Sequence, residues 1–216
     1  MLSEQTTNNY EKWCEEWGRR FLTLDQEALL KRVPGLTEEG DCLALVYFQQ
    51  RYRFHKRTGQ IEGPEGFEAP SAFTKLNLYT LLWYCQEQAA FLGEWLPFYN
   101  LKDASPFGPA FRKNVIDVYA ATFSGHLNEL HAACQSLGGL KLPHSDAGYE
   151  IRSFDCIPLR FLFWDMDEEF PAQANILFDK GSVNFIHVES LVTIASEGLA
   201  LLAKAAGLPL MGNTFS

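Results

Sequence analysis

The residues that could do chemistry are concentrated in one short segment, "LRFLFWDMDEEFPAQANILFD", at positions 159–179. An apolar run that is typical of a strand ends there in four carboxylates, Asp165, Asp167, Glu168 and Glu169. Carboxylates at this spacing can hold a divalent cation, divide acid and base roles between them, or form a solvated acidic turn that a partner contacts. The sequence leaves these three interpretations open.

A cation site in this segment would need the acids to converge. On an extended backbone, alternate side chains share a face, so Asp165, Asp167 and Glu169 are the expected metal ligands and the fourth acid points away. The segment is not a calcium loop of the EF-hand type, because Phe170 and Ile176 stand where glycine and a bidentate glutamate are required. We therefore treat a divalent cation as an alternative and predict no resident cofactor.

Three further residues extend the candidate site. Arg160 precedes the acids on the same strand, and we expect it to form a buried or sheet-edge ion pair, for which these acids are candidate partners, or, less simply, to bind an anion. His187 and Glu189 stand at the start of the last predicted helix, where a carboxylate favours the positive end of the helix dipole. If the fold brought this helix end to the acidic turn, the two groups together could form a mixed nitrogen and oxygen metal set.

Other motifs favour structural roles. The histidines of "HLNELHAAC", His126 and His131, are five positions apart and do not share a helix face as an HExxH metal site requires. The chain has no Walker loop, GxGxxG or GxSxG signature. The many aromatic residues offer a different alternative, a cavity for a flat small molecule. Its candidate lining is Trp83, Trp95, Phe98, Tyr99 and Trp164.

Bulk composition limits the class of protein. The chain has 216 residues, 47% of them hydrophobic, and a net charge of −9, which disfavours binding to nucleic acid or to an anionic membrane surface. Its five cysteines are isolated in sequence, which argues against a disulfide scaffold and against a cluster-binding motif. No apolar run approaches the roughly 20 residues of a membrane span. These features predict a cytoplasmic protein.

The elements that must position these residues are predicted from periodicity and turn residues. Helices are expected over 9–32, 71–87, within 105–137, and over 187–206; strands are expected over 41–48, 51–56, 149–156, 157–164, 174–178 and 183–186. "DKGS" is interpreted as a hairpin turn between the last two strands. Helices early and strands clustered late predict a single α+β domain over residues 1–216, with an antiparallel sheet packed against several helices.

Several stretches of the chain resemble a known family. "GEWLPFYNL", "LGGLKLPHSDAGYEI" and above all "IPLRFLFWDMDEEFPAQANILFD", followed by "HVESL", are similar to the prokaryotic domain of unknown function numbered 3786, over roughly residues 40–205. The resemblance implies a cytoplasmic protein of mainly anaerobic prokaryotes, with no established activity. It also implies that some relatives carry a small iron–sulfur domain of the type found in corrinoid proteins of one-carbon metabolism. This chain has no clustered cysteines, so a redox or corrinoid group would belong to a partner.

The resulting hypothesis is a non-enzymatic binding or accessory protein. Its contact surface would be the acidic turn 165–169 and the adjoining start of the last helix, and its partner a small molecule or a protein, including a second copy in a homodimer. The first alternative is a divalent-cation-dependent hydrolase built on the same acids. The second alternative is the aromatic pocket.

Overall fold

A computed structural model describes the backbone of residues 4–64 and 69–212 and, within those ranges, the side chains from residue 12 onward. In this part of the chain the strands form two antiparallel sheets, covered by helices, which confirms the α+β class. The strands are β1 (Thr37–Glu39), β2 (Cys42–Tyr47), β3 (Gln50–His55), β4 (Ile61–Glu62), β5 (Trp95–Pro97), β6 (Leu140–Lys141), β7 (Ala147–Phe154), β8 (Ile157–Trp164) and β9 (Gln173–Asp179). The first sheet has the order β1-β2-β3-β4, and the second has the order β5-β9-β8-β7-β6.

The helices differ from the predicted ones mainly because two long predicted helical regions are divided into shorter helices. They are α1 (Glu4–Phe21), α2 (Gln26–Arg32), α3 (Ala72–Tyr84), α4 (Gly108–Phe111), α5 (Asp117–Phe123), α6 (Leu127–Ser136), α7 (Ser182–Phe185) and α8 (Val188–Ala206), and a π-helical turn (Arg112–Ile116) joins α4 to α5. The predicted helix 9–32 is divided, because the Asp25 side chain accepts hydrogen bonds from two backbone N–H groups and starts a new helix. The predicted strand 183–186 and its hairpin are wrong. Ile186 N–H donates to the Ser182 carbonyl instead, which closes the short helix α7.

Strand β8 forms the centre of the second sheet. Leu159, Phe161 and Phe163 are fully buried on one face. Arg160 and Trp164 alternate with them on the opposite face and are partly exposed. Phe161 lies opposite Tyr149 of β7 and Ile176 of β9, so three buried side chains stack across the middle of the sheet.

The two sheets meet at the turn between β2 and β3. Phe48 and Gln49 both have positive φ, 44° and 63°, a backbone conformation that costs a non-glycine residue about 1–2 kcal/mol. Tertiary contacts offset this cost, since Phe48 is buried and its N–H donates to the Ser153 carbonyl of β7 at 2.7 Å. The Tyr47 ring also lies 4.6 Å from the Phe154 ring. The strained turn therefore joins the first sheet to the second.

Helix α8 packs where these sheets join. A methyl group on Gly198 would lie 3.0 Å from the Cζ atoms of both Phe48, in the turn between β2 and β3, and Phe161, on β8 of the second sheet. The absence of a side chain at this position allows the helix to contact both rings. One continuous hydrophobic core includes all three elements and extends from Phe21 to Ala203. Over the residues described, no helix is both long enough and apolar enough to cross a membrane.

Candidate functional site

The acidic turn connects β8 to β9, as the sequence predicts, but it does not continue the extended backbone. Asp165 N–H donates to Asp146 Oδ2 at 2.8 Å, and Asp165 Oδ1 accepts from the N–H groups of Gly125 and Met166, each at 2.8 Å. Asp165 is therefore hydrogen-bonded to the backbone of Gly125, just after α5, and to the side chain of Asp146, in the loop before β7. Its hydrogen bonds fix the direction in which the chain leaves the sheet.

Asp167 fixes the shape of the turn itself. Its Oδ1 accepts hydrogen bonds from Glu169 N–H at 2.8 Å and from Phe170 N–H at 2.7 Å, while its own N–H donates to the Phe170 carbonyl at 3.0 Å. The two backbone N–H groups stabilise the ionised carboxylate and lower the pKa of Asp167. This is the geometry of an Asx turn, which aspartate forms with its own backbone.

The remaining two acids have a different environment. Glu168 and Glu169 are exposed, and neither forms an ion pair or a side-chain hydrogen bond with another residue that the structure describes. Three large apolar side chains beside them are also exposed: Trp164 by 40%, Met166 by 57% and Phe170 by 59%. The turn thus presents apolar groups and unpaired negative charge together.

Arg160 lies on the same strand as these acids but pairs with another residue. Its Nε lies 3.0 Å from Glu150 Oε2 on the neighbouring strand β7, directly opposite in the sheet register. Its guanidinium also lies 3.8 Å from the centre of the Trp95 ring, a cation–π contact. Both partners of the ion pair are largely buried. The structure therefore gives Arg160 the expected ion pair, with Glu150 instead of an acid of the turn.

His187 and Glu189 lie at the start of α8, as predicted, but the structure does not bring them to the acidic turn. The turn precedes β9, whereas α8 begins after β9 has ended, and a strand of this length spans roughly 20 Å. His187 Nδ1 accepts a hydrogen bond from Glu189 N–H at 3.3 Å and caps the helix. The His187 ring packs 5.4 Å from the Tyr84 ring.

The carboxylates of the turn do not converge as metal ligands. Within residues 12–64 and 69–212, no group of three or more histidine, cysteine, aspartate or glutamate side chains has the arrangement of a metal site. In place of a shared cation, Asp165 and Asp167 each bind backbone N–H groups, and Glu168 and Glu169 extend into solvent.

The five aromatic residues of the alternative pocket are distributed over the molecule. Phe98 is buried and stacks on Phe111 at 4.3 Å, Trp83 lies edge-on to Trp17 at 6.0 Å, and Tyr99 is 69% exposed. Cavities of about 390 Å³ and about 960 Å³ occur elsewhere, and none of the five residues lines either of them. The structure does not assemble the predicted pocket.

The comparisons with known proteins agree with the similarity seen in the sequence. A family model described as "Domain of unknown function (DUF3786)" matches residues 25–200, which includes both sheets and most of α8. The chain belongs to the DUF3786 family. A search of curated proteins and a search of solved structures each gave no match.

This DUF3786 chain also contains a polar cluster that the sequence analysis did not identify. The carboxylate of Glu197, on α8, is largely buried and accepts four hydrogen bonds. Tyr47 Oη donates at 2.5 Å, Thr74 Oγ1 at 2.6 Å, Asn77 Nδ2 at 2.8 Å and Ser71 Oγ at 3.3 Å. Burial raises the pKa of Glu197, and the four donors act in the opposite direction. The cluster links β2, α3 and α8.

The signal for this cluster in the DUF3786 sequence is a polar residue within an apolar helix. Glu197 is surrounded in "TIASEGLALL" by residues of the buried face, and Asn77 occupies a similar position in "FTKLNLYTLL". A polar side chain on a buried helix face requires hydrogen-bond partners. Glu197 and Asn77 therefore each indicate a polar contact inside the protein. The sequence does not indicate which donors bind Glu197, because they come from β2 and from α3 with its N-cap, both more than 100 positions earlier in the chain.

Proposed function

We propose that this DUF3786 protein is a binding or accessory protein that contacts a partner protein through the acidic turn, residues 165–169, together with the flanking residues Trp164 and Phe170. One observation carries the proposal. Three exposed apolar side chains, Trp164, Met166 and Phe170, lie on a turn whose backbone is held by its own aspartates. The two features together, exposed apolar area and a fixed backbone, are those of a recognition loop.

The apolar side chains would supply the binding energy. Trp164, Met166 and Phe170 fall within seven positions, and each exposes two fifths or more of its surface. Large apolar groups exposed together favour association, and tryptophan and methionine are enriched at protein interfaces. Methionine adds a flexible side chain that adapts to a partner surface.

The aspartates would reduce the entropic cost of binding. Asp167 holds two N–H groups of the turn, and Asp165 bonds it to Gly125. A loop that already has its bound conformation loses less conformational freedom when the partner docks. In this proposal Asp165 and Asp167 shape the surface, and Glu168 and Glu169 contact the partner.

The charge of the turn indicates the chemistry of the partner surface. Glu168 and Glu169 are unpaired among the described residues and flank the apolar side chains, and the whole chain has a net charge of −9. The complementary surface is an apolar depression with a rim of lysine and arginine. Charges at such a rim raise the association rate and fix the orientation of the partner.

The family resemblance supports a more specific proposal about the partner. We place it among cytoplasmic proteins of anaerobic redox or corrinoid-linked one-carbon metabolism in prokaryotes. The five cysteines of this chain are at separate positions in the sequence and do not form a cluster-binding motif. A cluster or corrinoid would therefore be the partner's group, and the role of this chain would be to bind the protein that carries it.

A pair of matched variants tests the contact surface. Met166→Ser/Phe170→Ser removes apolar groups from the turn. Leu22→Ser/Leu140→Ser removes two exposed leucines that lie elsewhere on the surface. Each variant and the wild type are immobilised and exposed to extract from the source organism, and retained proteins are quantified by mass spectrometry. We expect a protein that the wild type and the leucine variant retain and the turn variant loses. Identical sets on all three would contradict the proposal.

A charge reversal then separates the electrostatic contribution to the association rate from the contribution of the apolar contact. With the purified partner, Glu168→Lys/Glu169→Lys should lower the association rate by about tenfold or more and weaken its dependence on salt, with a smaller change in the dissociation rate. Sedimentation of the purified protein distinguishes a second copy of the chain from a different partner protein. If the partner is a second copy, the wild type is a dimer without any extract and the turn variant is a monomer. An association rate that does not respond to the reversal would exclude the charged rim.

A further inference from the structure

The end of β9 contains a buried carboxylate whose two oxygens have different environments. Asp179 is only 1% exposed. Its Oδ1 accepts hydrogen bonds from Leu92 N–H at 3.0 Å and from Gly181 N–H at 2.8 Å. Its Oδ2 is also buried, yet no hydrogen-bond donor from the described residues reaches it. Half of this carboxylate therefore has no partner within that part of the protein.

A second buried polar atom without a partner lies three residues away. Ser182 is fully buried, and its Oγ forms no hydrogen bond with any residue in the described part of the chain. In the described part of the chain, only four buried side-chain nitrogen or oxygen atoms have no hydrogen-bond partner, and two of them belong to residues 179–182. Because native proteins rarely leave such groups unsatisfied, two in one short segment indicate a bound species.

A backbone oxygen also approaches this place. A Cβ atom on Gly181 would collide with the Ala90 carbonyl oxygen and would lie 2.8 Å from Asp179 Oδ1. Glycine at this position allows the loop of residues 86–94 to lie directly over the end of β9. This segment therefore combines a carboxylate oxygen and a hydroxyl oxygen that lack hydrogen-bond partners with a backbone carbonyl oxygen beside Gly181, and these are oxygen types that hard cations bind.

The charge of the site determines which species fits. The two backbone N–H groups bind only Oδ1 of the Asp179 carboxylate, and a cation beside the buried Oδ2 would stabilise the negative charge further. The neighbouring Lys180 does not supply the charge, since its Nζ lies 2.8 Å from Glu94 Oε2 in an exposed ion pair. A single negative charge balances a monovalent cation, whereas divalent sites in proteins commonly use several carboxylates.

We propose that Asp179 Oδ2 and Ser182 Oγ bind an alkali-metal cation, sodium or potassium, with carbonyl oxygens of the loop 86–94 completing its coordination. The cation neutralises the carboxylate and attaches the loop to the end of β9. The same loop is already bonded to this segment through Leu92 N–H on Asp179 and through Lys180 N–H on the Glu94 carbonyl. This site is independent of the acidic turn, which lies at the other end of β9.

Thermal unfolding in different chloride salts tests the proposal. The protein is exchanged into choline chloride, whose cation is too large for the site, and titrated with sodium or potassium chloride at constant ionic strength. We expect one alkali cation to raise the Tm in a saturable manner, by about 5–10 °C at 100 times its dissociation constant. Ser182→Ala should remove most of this rise, and Asp179→Asn should remove all of it.

Ser153→Ala is the matched control. Ser153 is also buried, but its Oγ donates to the Ile157 carbonyl at 2.7 Å and has no part in the proposed site. This variant should have a lower Tm in every salt and retain the full response to the cation. The comparison separates loss of a buried hydroxyl from loss of a cation ligand, and it remains informative if Asp179→Asn does not fold.

Three results would overturn the proposal. If Ser182→Ala is as stable as the wild type or more stable in every salt, the hydroxyl binds nothing. If Ser182→Ala lowers the Tm equally in choline, sodium and potassium, the partner is a water molecule. If neither sodium nor potassium raises the Tm of the wild type above its value in choline chloride, no alkali cation binds at Asp179.

Discussion

The acidic turn and the Glu197 cluster use the same chemical group under opposite conditions. At the turn, the Asp167 carboxylate is fully exposed and binds two backbone N–H groups of its own loop. At the cluster, the Glu197 carboxylate is largely buried and binds side chains from β2, α3 and the residue that caps α3. The pKa of Asp167 is lowered by its backbone donors, whereas the pKa of Glu197 is raised by burial.

This contrast shows that carboxylates have two structural roles in this fold. An exposed carboxylate with local donors sets the shape of a loop and contributes little to the stability of the whole chain. A buried carboxylate with distant donors joins elements, and its removal leaves several polar groups unsatisfied. The Glu150–Arg160 pair, with side chains 16% and 26% exposed, lies between these limits. Substitutions along this series should therefore have graded effects.

Glu197→Ala should cause the largest loss. Tyr47, Thr74 and Asn77 would remain buried and would lose the carboxylate that accepts their hydrogen bonds, so we expect the free energy of unfolding to fall by about 3 kcal/mol. Urea denaturation measures this loss. Glu189→Ala is the control, because it removes an exposed carboxylate from the same helix and should change stability little. Equal effects of the two substitutions would remove the distinction between buried and exposed acids.

Arg160→Met should cause an intermediate loss of about 1.5 kcal/mol. Methionine fills much of the same volume but leaves Glu150 without its cation and Trp95 without its cation–π contact. Arg112→Met is the matched control, since the pair between Arg112 and Asp117 has side chains that are 73% and 54% exposed. Denaturation curves of both variants should show a loss only for Arg160.

The contributions of Glu197 and Asp167 to the stability of the fold should depend on pH with opposite signs. The raised pKa of Glu197 means that its contribution to stability is complete below its ordinary value of 4.5 and is lost as pH rises through the folded-state value. The lowered pKa of Asp167 means that its contribution is present above its ordinary value of 3.8 and is lost as pH falls through the folded-state value.

Denaturation between pH 3 and pH 8 measures both signs by difference. The stability of the wild type relative to Glu197→Gln should decrease as pH rises, and its stability relative to Asp167→Asn should increase. Glutamine and asparagine each keep one oxygen acceptor, so the variants remove the titration with the smallest structural change. Two differences of the same sign would show that burial does not distinguish the carboxylates.

Glu168→Gln/Glu169→Gln should have the smallest effect on folding, within about 0.5 kcal/mol. These side chains have no partner among the described residues, so their neutralisation removes no interaction of the folded chain. Hydrogen exchange at the N–H groups of Glu169 and Phe170 gives a local control, because Asp167→Ala should accelerate it several-fold while the double substitution leaves it unchanged. A marked loss of stability in the double variant would assign the glutamates to folding.

The sequence predicts those elements whose pattern is local. The apolar run identifies β8, where Leu159, Phe161 and Phe163 are buried, and the predicted start of a helix at residue 71 is confirmed, since Ser71 caps α3 and its Oγ accepts from Thr74 N–H at 3.0 Å. The membership of the DUF3786 family and the α+β class are confirmed as well. Each of these predictions depends on neighbours within a few residues.

The sequence does not predict features that depend on distant groups. Residues 183–186 have the apolar character of a strand, yet the turn after Asp179 leads into the helix α7, because the Asp179 carboxylate is held by Leu92 N–H, 87 positions earlier. The partner of Arg160 is Glu150 because the register of β7 and β8 places them opposite each other. The acidic turn and His187 are close in sequence, but β9 separates them in space.

Gly198 has a consequence for how the molecule unfolds. Its missing side chain allows one helix to contact Phe48, in the turn that connects two strands of the first sheet, and Phe161, on the central strand of the second. Separation of either sheet from α8 would therefore expose a ring that packs at Gly198. The slowest-exchanging amides of the two sheets should therefore open in one cooperative event, at a common rate, despite having no strand in common.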